Sequence, residues 1–330
     1  MGELLRPALG LLPVASFLVA LVLLDSYKLV RLRVVIGVVA AGMLVAGLAY
    51  GLNGELLRYV DFTPYTRYVA PLVEELLKGA VIVALVRAHR IGFLVDAAIC
   101  GFAVGAGFAV VENLQYLQLV PHASLGIWFV RGFGTAIMHG CATAVFAVLG
   151  LAMLERRSRL SYGPGLLLAV ALHSAFNHFF LSPLAATMGI AVLAPVLLAV
   201  VFGRSERAMS DWLGSGFDAD AEMLELINSG KLSDSPVGRY LHQLKDRFQG
   251  LVVADLLAYL RLYTELALRA KGILMMRESG FEVPVDEATR EKFAELRYLE
   301  KSVGRTGLLA IQPMLHMSHK DLWQLYMLGK

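Results

Sequence analysis

Seven runs of mostly apolar residues, at about 7–25, 33–52, 66–86, 92–116, 127–153, 163–181 and 184–203, fill the first 203 positions of the chain. A helix needs about 20 such residues to cross the hydrocarbon core of a bilayer. With no water there to hydrogen-bond the backbone, a helix bundle is the natural solution for segments of this kind. The expected fold is therefore all-α: a polytopic membrane helix bundle of about seven transmembrane helices. Composition agrees, with 57% hydrophobic and only 17% charged residues, against about 25% charged in soluble proteins. A net charge of +3 without a basic stripe interleaved with aromatics argues against nucleic acid as a partner. Cys100 and Cys141 both fall inside apolar runs, so neither a disulfide framework nor a thiolate metal site is expected. The first run lacks a small-residue cleavage site and reads as a retained helix.

Basic residues orient the bundle. Lys28, Arg31 and Arg33 follow the first run, Arg87, His89 and Arg90 the third, Arg156, Arg157 and Arg159 the fifth, and Arg204 and Arg207 the seventh. The other side holds only Arg6, Arg58, Arg67 and Arg131. This pattern places the amino terminus outside and the carboxy terminus in the cytoplasm. Gly101, Gly105 and Gly107 in the fourth run, and Gly132, Gly134 and Gly140 in the fifth, supply notches for close helix packing.

After Gly203 the composition turns polar, and two domains are expected: a membrane bundle over 1–203 and a cytosolic helical domain over 204–330. Trp212–Gly216 reads as a linker between them. Helical spacing of apolar residues recurs at Glu222–Ser229, Val237–Gln249, Val253–Arg277 and Asp286–Ser302. The segments from Ser229 to Pro236 and from Ser279 to Pro284 carry turn chemistry. His316 and His319 have no evident third ligand, and no catalytic constellation appears in this half. It is a candidate surface for a cytosolic partner.

Chemistry concentrates in the bundle. Glu74, Glu75 and Lys78 lie within one apolar run, where carboxylates are costly and face a bundle interior or a wet cavity. Glu74 and Lys78 are one turn apart and can pair, which leaves Glu75, about 100° around the helix, in need of another partner. Such a carboxylate is suited to activate water. Three further runs each offer a polar group: Glu112, four residues after Phe108 and followed by Asn113 and Tyr116; His139; and His173, which shares a face with Asn177. Each alone has a bland reading, as a structural ion pair, an interfacial carboxylate or a satisfied core histidine. Four separate runs each carrying one candidate favour a shared site. Ser174 points away from His173, and no Gly-x-Ser-x-Gly occurs.

Two chemistries fit these residues. In the first, Glu112, His139 and His173 bind a metal such as zinc, and Glu75 is the general base. No His-Glu-x-x-His spacing supports it directly. In the second, no metal is needed: Glu75 and a second acid or histidine activate water, while His173 and Asn177 stabilise an oxyanion.

The ordered set Glu74-Glu75-x-x-Lys78, Phe108-x-x-x-Glu112-Asn113-x-x-Tyr116, His139 and His173-x-x-x-Asn177 resembles the PrsW family of intramembrane proteases, relatives of the CAAX prenyl endopeptidases. The resemblance covers about residues 66–180. Glu112 stands where the CAAX branch has histidine, which favours PrsW. It implies hydrolysis of a peptide bond in a transmembrane protein substrate, such as a single-span anti-sigma factor cut on its extracytoplasmic side. It also implies Glu74, Glu75, Glu112, His139 and His173 as catalytic candidates, with Asn177 in support. Members are described as metalloproteases or as glutamic-type, so the resemblance leaves both chemistries open. Rival readings are a proton-coupled transporter with a Glu/His relay, and an inactive membrane scaffold.

Overall fold

The computed structural model describes residues 2–25, 27, 29–155, 161–281, 283–312 and 314–315. The expectations for Lys28, for Arg156, Arg157 and Arg159, and for His316 and His319 fall outside the described residues. Of the described residues, 84% are helical, and no strand occurs among them. The chain forms α1 (Gly2–Leu23), α2 (Leu32–Leu56), a short α3 (Phe62–Pro64) running into a π-helical turn (Tyr65–Val69), and α4 (Ala70–Arg87). It continues with α5 (Leu94–Leu119), α6 (Leu125–Phe129), a second π-helical turn (Val130–Ala136), α7 (Ile137–Glu155) and α8 (Gly163–Asn177). The last helices are α9 (Pro183–Asn228), α10 (Pro236–Leu244), α11 (Gly250–Glu278) and α12 (Glu287–Ile311). Contacts divide the chain into two compact units, Met1–Glu206 and Arg207–Lys330.

Among the described residues, five helical stretches are long and apolar enough to cross a membrane: Leu4–Leu23, Leu32–Leu56, Leu94–Leu119, Leu125–Leu154 and Pro183–Asn228. Two of the seven expected spans are not among them, for clear reasons. Glu74, Glu75 and Lys78 put three charges into the 18 residues of α4, and α8 has only 15 residues. The fifth expected span is one apolar stretch, but its backbone passes from α6 through a π-turn into α7.

Helix α5 is the hub. Its start is set by Asp96, whose carboxylate accepts from the Gly92 and Phe93 amides at 2.7 and 2.6 Å, satisfying donors that a helix start leaves open. It is buried along most of its length and packs against α1, α2 and α7. Glycine sets the α5–α7 approach: a Cβ at Gly105 would stand 2.2 Å from the His139 carbonyl oxygen, and one at Gly101 2.7 Å from the Ala144 Cα. Close backbone packing of this kind holds helices together where no hydrophobic force acts between them. Here it also brings the turn carrying His139 against the hub. Around it lies a core including Ile82, Phe102, Ala142 and Leu151.

The second unit has α11 as its buried spine. Lys271 is buried on it, reaching Asp220 at 2.5 Å, the Gly216 carbonyl at 3.0 Å and the Trp212 ring at 5.1 Å. This corrects the expected linker at Trp212–Gly216, which is helical and lies within α9. Glycine weakens a helix by about 1 kcal/mol, but at Gly216 a Cβ would meet the Lys271 ammonium at 2.7 Å, so the residue makes room for a buried ion pair. The expected turns carry left-handed glycines, Gly230 (φ 74°) and Gly280 (φ 85°). Asp286 caps α12 by accepting from the Thr289 amide, and α12 extends past its expected end to Ile311 through a break at Gly304 (φ 68°).

Candidate active site

Five of the six sequence candidates converge in the first unit, carried by α4, α5, α7 and α8. Glu75 lies at the bottom of the cluster, with a side chain only 1% exposed. Its Oε1 accepts from Lys78 Nζ at 2.5 Å and from His173 Nδ1 at 2.9 Å. Thr143 Oγ1 stands 3.4 Å from the other oxygen and 3.1 Å from the His139 carbonyl. Lys78 therefore pairs with Glu75, three residues back, rather than with Glu74 as the four-residue spacing suggests. Both spacings bring side chains together on a helix. The choice falls to the carboxylate that faces inward, because the buried ammonium has to be neutralised there.

Glu74 is turned toward α2, where Asn53 Nδ2 donates to its Oε1 at 3.2 Å. Its side chain is 13% exposed and its Oε2 lies 3.9 Å from His173 Nε2. His173 donates from Nδ1 to a carboxylate, so in the neutral imidazole the acceptor nitrogen is Nε2, on the Glu74 side. The two histidine rings meet edge to face, centroids 4.6 Å apart.

His139 is held at both nitrogens. Nδ1 is 3.1 Å from Lys78 Nζ, and Nε2 is 3.1 Å from Glu112 Oε2. An ammonium has only protons to offer, so Nδ1 accepts and Nε2 donates to Glu112. Phe108 forms a plate beneath both partners, its ring 5.1 Å from the His139 ring and 4.5 Å from Lys78 Nζ.

Glu112 is the most open of the three carboxylates, with a side chain 27% exposed. Its second partner is Arg131, whose Nη2 lies 3.3 Å from Oε2. The guanidinium stacks at 3.5 Å on Tyr116 and donates from Nε to Asn113 Oδ1 at 2.8 Å. Asn113 in turn donates to the Gly10 carbonyl at 2.7 Å, tying this arm to α1. The sequence alone groups Arg131 with the scattered cations of the outer side. A lone arginine five residues into an apolar run was the signal for it.

Asn177 does not join the cluster. Its Nδ2 donates to the Thr66 carbonyl at 3.0 Å, Ser174 Oγ donates to the Arg67 carbonyl at 2.6 Å, and His178 Nε2 meets the Tyr68 hydroxyl at 2.9 Å. Three side chains at the end of α8 thus clamp the π-turn 65–69.

Ligand atoms of Glu74, His139 and His173 all lie within 4.8 Å of one another. The gathered set contains Glu74 where the sequence pointed to Glu112. One carboxylate and two imidazoles suit a catalytic zinc with an open position. The charge balance also suits a cation: among the described residues, the permanent cations paired with Glu75 and Glu112 are Lys78 and Arg131, against three carboxylates with Glu74. The Glu75–His173 contact has the form of the carboxylate–histidine pairing found behind metal-binding histidines. His139 fits once Lys78, held independently by Glu75, releases Nδ1. The donor set thus fits zinc.

Residues 30–202, just over half of the chain, match the family model described as PrsW family intramembrane metalloprotease. The chain belongs to the PrsW family. Neither a curated protein nor a solved structure matches it. PrsW membership identifies it as a membrane protease, with membrane-protein substrates in a lipid bilayer implied. The family favours the protease reading over the transporter and scaffold readings.

Proposed function

We propose that this PrsW protein hydrolyses a peptide bond of a transmembrane substrate with Glu74, His139 and His173 as zinc ligands and Glu112 as general base. The convergence of these four side chains from four helices carries the reading. Zinc, when bound, supplies a Lewis acid that polarises a carbonyl and makes water more acidic. The Glu112 carboxylate, held through Oε2 by His139 and Arg131, takes a proton from the attacking water and returns it to the leaving amine, the double duty of a general acid–base. Arg131 holds that carboxylate in place and balances its charge. Glu75 accepts from His173 Nδ1, so that Nε2 keeps its lone pair for the site. Lys78 neutralises Glu75, which is too enclosed by its partners to reach water and so acts as a positioning residue.

A metal-free reading, with glutamate-activated water, has one observation in its favour. The Lys78 Nζ to His139 Nδ1 contact at 3.1 Å is one that a metal-bound His139 has to give up. The same proposal includes seven spans, with α4 and α8 crossing as polar and short members of the bundle, an outside amino terminus and a cytosolic second unit available to a partner. A single-span regulator of the anti-sigma type is the proposed substrate. Co-expression of such a substrate with Glu112→Gln or His173→Ala tests the reading: cleavage is lost in both, while the thermal midpoint of purified Glu112→Gln stays near wild type. Normal processing by either variant overturns it.

A further inference from the structure

A groove of about 390 Å³ lies between α4, α7 and the head of α8, apart from the cluster described above. Its wall on α4 is the face of Leu76, Ala80, Val83 and Arg87, positions that recur at helical spacing. Phe146 of α7 lines the other side, and a Cβ at Gly79 would stand 3.0 Å from its ring, so the groove exists where α4 carries no side chain. Tyr162, just before α8, stacks on Phe146 with ring centroids 6.0 Å apart. It also presses on α7 so closely that a Cβ at Gly150 would stand 2.7 Å from its ring. The phenol is thereby fixed in a lining that it shares with Arg87 and that is otherwise apolar. Arg87 is exposed and has no ion-pair partner among the described residues.

The dimensions select the occupant. From Leu76 to Arg87 the helix rises about 16 Å. Spread over that length, the volume has a section of roughly 24 Å², wide enough for one hydrocarbon chain whose carbons sit about 4 Å from their neighbours. A helix displaces roughly 120 Å³ per residue, so only about three of its residues would fit. We propose that the groove binds an anionic phospholipid, with one acyl chain along α4 over Phe146 and the headgroup phosphate accepting from Arg87 and the Tyr162 hydroxyl. The proposed topology puts the Arg87 end at the cytosolic interface, where basic pockets between membrane helices receive anionic headgroups. A chain seated there braces α4, which carries Glu75 and Lys78, against α7, which carries His139.

The test measures binding by the full chain in detergent micelles doped with dioleoylphosphatidylglycerol or dioleoylphosphatidylcholine, read by native mass spectrometry and thermal midpoint. Wild type is expected to hold one phosphatidylglycerol per chain, about fivefold more tightly than phosphatidylcholine, the scale for one arginine at an anionic surface. The lipid also raises the midpoint, because it binds the folded state. Arg87→Gln brings the two affinities within twofold of each other. Ala84→Phe, at an exposed lining position, fills the groove and lowers occupancy by both lipids. Equal affinities in wild type overturn the proposal, as does phosphatidylglycerol binding that either variant leaves unaltered. Inorganic phosphate that displaces the lipid would assign Arg87 to a soluble anion and overturn it too. So would a single-span peptide whose binding Ala84→Phe abolishes at unchanged lipid occupancy, which would make the groove a seat for a substrate helix.

Discussion

Lys78 donates to Glu75 at 2.5 Å, with both side chains essentially sealed from solvent, and the same ammonium reaches His139 Nδ1 at 3.1 Å. One cation therefore fixes a carboxylate on its own helix and a histidine on another. Removing one partner of a buried pair costs about 3–5 kcal/mol, because the remaining charge is left uncompensated. Lys78→Met is expected to lose stability on that scale, measured by thermal or denaturant unfolding in detergent. The double variant Lys78→Met/Glu75→Gln should recover much of it. A single variant as stable as wild type contradicts the pairing.

Glu75 and Glu112 differ in what they touch, and their amide variants should differ in kind. Glu75→Gln loosens the orientation of His173, and outer-shell changes of this type typically weaken metal affinity about 10–100-fold. Glu112→Gln keeps the three metal ligands and an acceptor for His139 Nε2 but removes the base, so turnover falls by roughly 100-fold or more, well beyond its effect on zinc affinity. Competition with a zinc-binding dye, run beside cleavage assays, separates the two; equal effects of both variants on affinity count against the assignment.

Arg131 balances Glu112, stacks on Tyr116 and ties into Asn113. A lysine keeps the charge but neither the planar stack nor the fork of donors. Arg131→Gln is therefore expected to lose most cleavage and Arg131→Lys to recover only part, at constant expression and folding. Full activity of Arg131→Gln would remove the residue from the site.

How far the sequence alone could go depends on what the bilayer enforces. A charged or imidazole group in an apolar run stands out because hydrocarbon tolerates so few, so Glu74, Glu75, Glu112, His139 and His173 were legible as one site before any coordinates. Which carboxylate faces Lys78 was not. Glu74 and Glu75 differ only by a 100° rotation, and Thr143 and His173, which draw Glu75 inward, lie on helices far away in sequence. Asn177 shares a helix face with His173 at four-residue spacing, but it reaches a π-turn that has no periodic signature. The misread linker at Trp212–Gly216 has a similar cause, since Gly216 is explained by Lys271, 55 residues further along.

Gly105 offers a test of the scaffold apart from the chemistry. A Cβ there would stand 2.2 Å from the His139 carbonyl oxygen, a backbone atom that cannot move without shifting the His139 turn. Gly105→Ala is expected to lower both the thermal midpoint and the cleavage rate. Gly37→Ala, where a Cβ meets nothing within 4 Å, should leave both unchanged. If the two variants behave alike, close α5–α7 packing does not position His139.

The most direct measurement of the central claim is cleavage of a single-span substrate by protein stripped of metal with a chelator and then titrated with zinc. The account predicts no turnover when stripped, and recovery that saturates near one zinc per chain. Recovery should be absent in Glu74→Ala and His173→Ala. Undiminished turnover by the stripped, folded protein would contradict the zinc site and leave the glutamate-activated mechanism in its place.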